Sequence, residues 1–189
     1  MPLYQYHSLL SPELTGWRMA GAGGFRLAPD GAVESYGGPG LLWYEVQIYE
    51  NFILRVEWRL MRGDDNSGVF LRCPPLQEDL APAFARAYEI QIDDRGYDPE
   101  KDVCRSALHI TGAIYRLAPA KIVASRGVAL WNEFEITARG GLIDVRLNGE
   151  EVSSLTNADR EPRGHIALQA HHEGSHVQFR NLQIRRLED

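Results

Sequence analysis

Residues 52–61 read Phe-Ile-Leu-Arg-Val-Glu-Trp-Arg-Leu-Met. The even-numbered positions up to 60 are all apolar, and three of the odd-numbered positions between them are charged. A period of two residues is that of an extended strand, whose side chains point alternately to opposite faces. The stretch therefore predicts a β-strand that covers a hydrophobic core on one face and is polar on the other.

The same alternation recurs in residues 88–93, 134–138 and 165–171. Eighteen glycines and ten prolines punctuate short runs that are rich in β-branched and aromatic residues. Turn residues at intervals of about ten, without strand–helix–strand units, are typical of an antiparallel sandwich or barrel. We predict an all-β protein in which residues 1–189 form a single domain.

Three shorter stretches carry local predictions. Asn148-Gly149 predicts a two-residue hairpin turn, because such turns need positive φ angles. The apolar alternation changes parity near Asn181, which predicts a β-bulge. Residues 79–87 are alanine-rich but contain Pro82, so we expect a loop or a short helical turn there.

Charge and composition argue against several classes of protein. The net charge is -6 and the basic residues are scattered, which disfavours a nucleic-acid partner. The first residues lack the features of a secretory signal and no window resembles a membrane span, so we expect a cytoplasmic location and no membrane partner. Gly21 to Gly24 do not complete a dinucleotide-binding motif, and Cys73 and Cys104 are expected to be reduced structural thiols.

One polar row lies on the strand predicted at residues 88–93. Glu89, Gln91 and Asp93 share a parity that sets neighbours about 7 Å apart on one face. Such a row can hydrogen-bond neighbouring sugar hydroxyls, and two carboxylates can divide the roles of general acid and base. The alternative is an ordinary solvated strand face.

A second polar row centres on Glu57, and Arg72 ends the next predicted strand. The planar guanidinium of Arg72 can clamp a sugar oxygen or a carboxylate. The alternative is a salt bridge to Glu57 or Glu89 that stabilises the sheet. From strand parity we expect five side chains to converge on one concave surface: Glu57, Arg72, Glu89, Gln91 and Asp93.

Four of the six histidines fall within residues 165–176. His171 is the best candidate for proton transfer, since an imidazole titrates near neutrality. The histidines also allow zinc, and the acidic stretches 64–66 and 93–100 allow calcium, although neither stretch fits the EF-hand spacing. No cofactor site is therefore defined, and a divalent cation, Ca²⁺ or Zn²⁺, stays an alternative. Tyr115 and Trp131 offer rings for sugar stacking, or they belong to the core.

Several motifs follow one another in a characteristic order. They are Asn66-Ser67-Gly68-Val69-Phe70-Leu71-Arg72, Tyr88-Glu89-Ile90-Gln91-Ile92-Asp93, Thr111-Gly112-Ala113-Ile114-Tyr115 and Gly164-His165-Ile166-Ala167-Leu168-Gln169-Ala170-His171. The ordered set resembles the 3-keto-disaccharide hydrolase domains of bacterial proteins over nearly the whole chain. The resemblance implies a concanavalin A-like jelly roll of two antiparallel sheets with a site on its concave sheet. It also implies action on oxidised glycosides, in which a 3-keto group acidifies the proton at C2.

Carried over position by position, the resemblance implies nine site residues. The catalytic candidates are His171, Glu89 and Asp93, and the substrate-binding candidates are Glu57, Asn66, Arg72, Gln91, Tyr115 and Gln169.

The leading hypothesis is a hydrolase or lyase that cleaves 3-keto-glycosides and binds a carbohydrate in a groove. In this hypothesis His171 or Glu89 removes the proton next to the ketone, while Arg72 and Asn66 hold the sugar. The alternative is a non-catalytic carbohydrate-binding module, and a third reading is a structural scaffold whose groove is vestigial. The sequence does not determine the sugar, the linkage or the oligomeric state.

Overall fold

A computed structural model describes residues 5–188. In this part of the chain, thirteen strands form two antiparallel sheets, accompanied by one short helix. The predicted all-β sandwich is thereby confirmed. No helix among the described residues is long and apolar enough to cross a membrane.

The first sheet has eight strands. Its strands, in spatial order from one edge, are β11 (Glu150–Leu155), β10 (Leu142–Leu147), β9 (Asn132–Arg139), β6 (Phe52–Leu60), β13 (Val177–Arg186), β4 (Val33–Tyr36) and β3 (Gly24–Leu27), with β1 (His7–Ser8) paired to β13. The strand predicted at residues 52–61 is thus β6, near the centre of this sheet.

The second sheet has five strands. In spatial order they are β2 (Trp17–Gly21), β5 (Gly40–Tyr44), β12 (His165–Ala170), β7 (Ser67–Cys73) and β8 (Tyr88–Ile92). The free edge of β8 is covered by the long segment 93–131, where Ile114 forms a β-bridge with Ile90. The outer face of this sheet carries the helix α1 (Ala81–Arg86), whose Phe84 meets Phe70 edge-on at 5.8 Å between ring centroids.

The main core lies between the two sheets. Every second residue of β6 is fully buried there, and Ile90 and Ile92 of β8 reach the same core from the other sheet. Burial of one large apolar side chain stabilises the fold by about 1.5–3 kcal/mol. The alternation of apolar residues therefore decides which face of each strand turns inward.

A smaller apolar cluster lies outside the sandwich, on the outer face of the second sheet. Its members are Ala20, Leu41, Trp43, Phe70, Cys73, Leu76, Leu80, Ala83, Ala87 and Ala167. This outer cluster holds α1 against the sheet. Pro82 sits in the first turn of α1, where the missing N–H has no partner to lose, so the predicted short helical turn is confirmed.

The two predicted backbone irregularities are also present. Asn148 and Gly149 have φ angles of 54° and 90° and connect β10 to β11. The pairing of β13 with β6 shifts between Arg180 and Gln183, and Asn181 between them has a φ of 49°. Both the hairpin turn and the bulge are confirmed.

Candidate functional site

A groove of about 560 Å³ opens on the outer face of the second sheet. Strands β7, β8 and β12 form its floor, while α1 and the segment 93–131 form its walls. The groove is lined by Pro39, Asn66, Phe70, Phe84, Ala87, Glu89, Gln91, Tyr97, Pro99, Tyr115, Arg116, Arg160, Gln169 and His171. Six of the nine residues expected at the site are in this set.

A glycine opens the centre of the floor. Gly68 of β7 lies directly opposite Gln91 of β8. A Cβ atom at Gly68 would lie 2.5 Å from Oε1 of Glu89, so the Glu89 carboxyl reaches across the place where a side chain would be. The missing side chain gives Glu89 its position over the floor of the groove.

The Glu89 side chain is half-buried in the groove. Burial raises the pKa of its carboxyl to about 8, and the positive charge of the nearby Arg116 offsets only part of this effect. At neutral pH Glu89 therefore holds its proton. A protonated carboxyl inside a groove can act as a general acid.

His171 follows the end of β12 and faces the same groove. Its Nδ1 lies 2.8 Å from Nδ1 of His172, so the two rings share one hydrogen bond. Burial, together with the charges of His172 and Arg95, lowers the pKa of His171 to about 4. At neutral pH His171 is an uncharged imidazole. When its Nδ1–H donates to His172, its Nε2 is free to accept a proton.

The environments of Glu89 and His171 thus displace their pKa values in opposite directions. The carboxyl is protonated and the imidazole is neutral at the same pH. Two titratable groups whose pKa values are displaced in opposite directions within one cleft are a sign of divided acid and base roles. The pair can donate one proton and accept another without carrying a net charge beforehand.

Three amide side chains complete the floor. Asn66, Gln91 and Gln169 are 8%, 3% and 5% exposed. The Oδ1 atom of Asn66 and the Oε1 atoms of both glutamines are buried without a hydrogen-bond partner. Buried polar atoms in folded proteins are nearly always paired. We name Asn66, Gln91 and Gln169 the amide floor.

The walls contribute residues that the sequence patterns did not single out. Phe84 and Tyr97 are 44% and 38% exposed, although both rings face the groove. Arg116 places its guanidinium 5.4 Å from the ring centroid of Tyr115 and pairs with the exposed Glu100. These residues lie on α1 and in irregular segments, where no strand parity applies. The only signal in the sequence was the position of Arg116 next to Tyr115.

Glu57 does not belong to this groove, which corrects the expected convergence. Its strand β6 is part of the eight-stranded sheet, so its polar face points away from the second sheet. The Glu57 carboxylate instead accepts hydrogen bonds from Nε of Arg180 at 2.6 Å and Nδ2 of Asn181 at 2.7 Å. Parity predicted the polar face correctly but could not tell which sheet the strand joins.

Arg72 is also absent from the groove. Its side chain is almost fully buried and donates to the carbonyl oxygens of Glu50, at 2.8 and 3.2 Å, and of Gly140, at 2.9 Å. Gly140 lies in the turn between β9 and β10, so Arg72 joins the second sheet to the first. The prediction that Arg72 faces the groove and clamps a sugar is therefore wrong. Its φ of 52° breaks the alternation of the strand, so the side chain points elsewhere.

Replacing Arg72 should therefore reduce stability rather than substrate binding. For Arg72→Met we expect a loss of about 3 kcal/mol in the free energy of unfolding, since three hydrogen bonds from the buried guanidinium are lost at about 1 kcal/mol each. Urea unfolding followed by tryptophan fluorescence measures this loss. A variant that unfolds like the parent but loses affinity for sugar would return Arg72 to the binding site.

Asp93 is the third correction. Strand β8 ends at Ile92, so the parity that carries Glu89 and Gln91 into the groove does not extend to Asp93. Its buried carboxylate accepts hydrogen bonds from the backbone N–H groups of Arg95 and Tyr97 and, at 3.4 Å, from Nδ2 of Asn66. Asp93 therefore stabilises the loop after β8 and positions Asn66. It is not among the residues that line the groove.

Neither the histidine cluster nor the acidic stretches form a metal site in the described residues. No group of three or more His, Cys, Asp or Glu side chains in residues 5–188 is arranged to hold a metal ion. His165 places Nδ1 at 2.8 Å from the carbonyl oxygen of Tyr44, and Asp65 accepts backbone N–H groups in its own turn. His165 and Asp65 therefore stabilise the local backbone through hydrogen bonds.

Residues 7–185 match the family described as 3-keto-alpha-glucoside-1,2-lyase-like domains. The chain belongs to this family. A relative from Bacteroides thetaiotaomicron named 3-keto-disaccharide hydrolase is 23% identical over 176 residues, which cover 74% of this chain and 60% of that protein. The chain thus spans about 60% of the length of that relative. The family and this relative support a carbohydrate-active function, and the resemblance expected from the motifs is confirmed.

Solved structures show the same fold. A candidate glycosyl hydrolase from Parabacteroides distasonis superposes with a TM-score of 0.82 at 22% identity, covering 97% of this chain and 94% of that one. The carbohydrate-binding module CBM66 from Bacillus subtilis gives a TM-score of 0.62 at 13% identity, covering 90% and 96%. A Bacillus subtilis protein with a galectin-like fold gives 0.60 at 9% identity, covering 96% and 94%. The jelly-roll class predicted for this domain family is therefore confirmed.

Proposed function

We propose that this protein cleaves 3-keto-glycosides in the groove on its second sheet, with His171 as general base and Glu89 as general acid. The observation that carries the proposal is the opposite displacement of the pKa values of these two groups, which line one groove. Membership of a family named for a 3-keto-glucoside lyase supplies the substrate chemistry.

The reaction follows from the acidity of the carbon next to a ketone. His171 accepts the proton from C2, and the electrons of the C2–H bond form an enolate with the C3 carbonyl. The enolate then expels the oxygen on C1, which takes a proton from Glu89, so the C1–O bond breaks and a C1=C2 double bond forms. Transfer of the proton from His171 back to Glu89 through solvent restores the starting state. Addition of water across the double bond would complete a net hydrolysis.

The enolate needs a positive partner, and Arg116 is placed to supply one. Its charge acts on Glu89, and its guanidinium lies against Tyr115 at the wall of the groove. Arg160 also lines the groove, but its Nη1 is engaged with the carbonyl oxygen of Ala87. Donors aimed at the position where charge develops commonly provide about 10²–10³-fold of the rate.

A second candidate function is carbohydrate binding without catalysis. The groove is lined by amide side chains and by the rings of Phe84, Tyr97 and Tyr115, which suit contact with a sugar, and the module CBM66 has the same fold. This function would not use the displaced pKa values of Glu89 and His171. For that reason it is the weaker of the two proposals.

The deciding experiment compares 3-keto-glucosides with their unoxidised parents. Purified protein is incubated with p-nitrophenyl 3-keto-α- and 3-keto-β-glucoside and with both parent glucosides, and nitrophenol release is recorded. We expect release from a keto-glucoside only, because the parents have no acidic C2–H. Tight binding without any release would support the binding module, and release from the parents would reject the keto-dependent mechanism.

A further inference from the structure

We infer that the end of the groove next to α1 is the subsite for the leaving group, and that this subsite takes an aromatic aglycone. Aryl glycosides are then bound in preference to alkyl glycosides and to disaccharides. The geometry behind the inference is the placement of Glu89 beside Phe70 and Phe84. The inference rests on the proposed function and adds to it the nature of the group that is expelled.

Strand pairing gives the groove a direction. Phe70 of β7 lies opposite Glu89 of β8 on one side and opposite Ala167 of β12 on the other. Because β12 runs antiparallel to β7, His171 lies past Gly68 at the far end, four residues beyond Ala167. Four residues of strand span about 13 Å. The Glu89 carboxyl reaches over Gly68, so it lies between His171 at one end and Phe70 at the other.

The proposed reaction determines which end holds the leaving group. The base acts on C2 of the sugar, whereas the acid gives its proton to the oxygen on C1. The sugar ring must therefore lie on the side of His171, above the amide floor, and the bond from C1 to its oxygen must point toward Glu89. A leaving group that stays on the floor then continues toward Phe70 and α1.

Beyond Glu89 the groove changes from polar to apolar. On the α1 side of this carboxyl, the lining residues of the described chain are Phe70, Phe84, Ala87 and Arg160. Phe84 meets the buried Phe70 edge-on and keeps much of its ring exposed. Nη1 of Arg160 already donates to the carbonyl oxygen of Ala87, at 2.7 Å. This end therefore offers apolar surface and few hydrogen-bonding groups.

A second ring borders the same position on the other wall. The backbone N–H of Tyr115 donates to the carbonyl oxygen of Glu89 at 2.9 Å, so Tyr115 lies beside Glu89 on the side away from Phe70. The Tyr115 ring packs against His109, edge-on at 4.9 Å between centroids, and against the guanidinium of Arg116 at 5.4 Å. An aryl group next to the Glu89 carboxyl thus has an aromatic wall on each side. Contacts between aromatic rings stabilise a complex beyond the area that they bury.

A second hexose suits this end of the groove less well than an aromatic ring does. Each sugar hydroxyl that leaves water without a new partner weakens binding, and beyond Glu89 the described lining residues offer only Arg160 as a polar side chain. A phenolic aglycone has its oxygen at the glycosidic bond and otherwise buries apolar surface against Phe84. When the C1–O bond breaks, this oxygen takes the proton of Glu89 and the aglycone leaves as a phenol.

The first test measures binding without turnover. The 3-keto forms of phenyl glucoside, methyl glucoside and a glucosyl-glucose, each as both anomers, are titrated calorimetrically into Glu89→Gln, which keeps the shape of the site. We expect the phenyl glycoside of one anomer to bind roughly 10- to 100-fold more tightly than the methyl glycoside and the disaccharide, because it buries a ring. Equal affinity for phenyl and methyl glycosides, tighter binding of the disaccharide, or no binding at all would overturn the inference.

The two proposals can fail separately. A preference for the phenyl glycoside, without release of phenol from it by the parent protein, would reject the cleavage and keep the subsite. Cleavage of keto-glycosides by a protein that binds phenyl and methyl forms equally would keep the proposed function and reject the subsite.

The second test assigns the preference to Phe84 and uses a matched control. Phe84→Leu keeps an apolar side chain against Phe70 but removes the ring, so affinity for the phenyl glycoside should fall roughly 3- to 10-fold while affinity for the methyl glycoside stays within about 2-fold. Tyr36, on the other sheet, is 41% exposed, close to the 44% of Phe84. Tyr36→Leu should change neither affinity. If Phe84→Leu weakens both glycosides alike, or neither, Phe84 does not bind the leaving group and the inference fails.

Discussion

Glu89→Gln should lose about 10²–10⁴-fold in turnover of a 3-keto-glucoside, the usual contribution of a general acid or base. Glutamine has nearly the same shape and keeps the hydrogen-bonding capacity of a neutral carboxyl, but it cannot release a proton to the leaving oxygen. Steady-state nitrophenol release measures the loss. The KM should change much less than kcat, since the variant still fills the same volume over Gly68.

The same variant should be more stable than the parent at alkaline pH. The pKa of Glu89 is about 8 in the folded protein, whereas an unfolded chain loses this proton near 4.5. Folding therefore takes up a proton between these values, and the contribution of Glu89 to the free energy of unfolding falls as the pH rises from about 4.5 to 8. At pH 9 the burial of the ionised Glu89 carboxylate lowers the free energy of unfolding by its full amount, on the order of 4 kcal/mol. The Glu89→Gln variant should regain much of this stability.

Glu57→Gln is the matched control for this experiment. It makes the same chemical change on the outer face of the other sheet, where Glu57 pairs with Arg180. We expect unchanged turnover and a small loss of stability, in contrast to both effects at Glu89. If Glu89→Gln keeps full turnover, or if it melts far below the parent at pH 9, its assignment as a buried general acid is wrong.

His171→Ala should reduce turnover by a similar factor of about 10²–10⁴, because no other neutral base in the groove is so placed to take the C2 proton. Exchange of the C2 hydrogen with deuterated water, followed by NMR, reports this step separately from release of the leaving group. We expect exchange to disappear in His171→Ala. In Glu89→Gln we expect exchange to persist, since the acid acts only after the enolate has formed.

The pH dependence of stability gives an independent check on His171. Its folded pKa of about 4 lies below the 6.5 of an unfolded histidine, so the unfolded chain binds a proton between these values. The parent should therefore lose stability as the pH falls from about 6.5 to 4, by up to about 3 kcal/mol from this group. His171→Ala should lack this loss. If the His171→Ala variant keeps both turnover and C2 exchange, Glu89 is the base instead of His171.

Much of the fold followed from the sequence, because alternation along strands directly reflects which face is buried. The strands around residues 52–61, 88–93 and 165–171, the Asn148 turn and the bulge at Asn181 were all predicted. The sheet to which a strand belongs is set by pairing between distant segments. Parity carries no information on that pairing, which is why Glu57 was assigned to the wrong face of the sandwich.

The candidate site was predictable where its residues lie inside strands. Glu89, Gln91 and Gln169 occupy regular positions, so their direction followed from their neighbours. Arg72 and Asp93 lie where a strand twists or ends, and there parity fails within one residue. Phe84, Tyr97 and Arg116 come from a helix and from loops whose positions depend on tertiary packing. No periodic signal in the sequence marks such residues.

The outer apolar cluster and the main core support different parts of the groove. The wall formed by α1 rests on the outer apolar cluster alone, whereas the strands of the floor also pack their opposite face into the main core between the sheets. Exchanges in residues 76–87 that preserve the contact of Phe84 with Phe70 can therefore reshape the mouth of the groove at little cost to the sandwich. Such an arrangement favours diversification by mutation and offers protein engineers a replaceable segment for reshaping the groove.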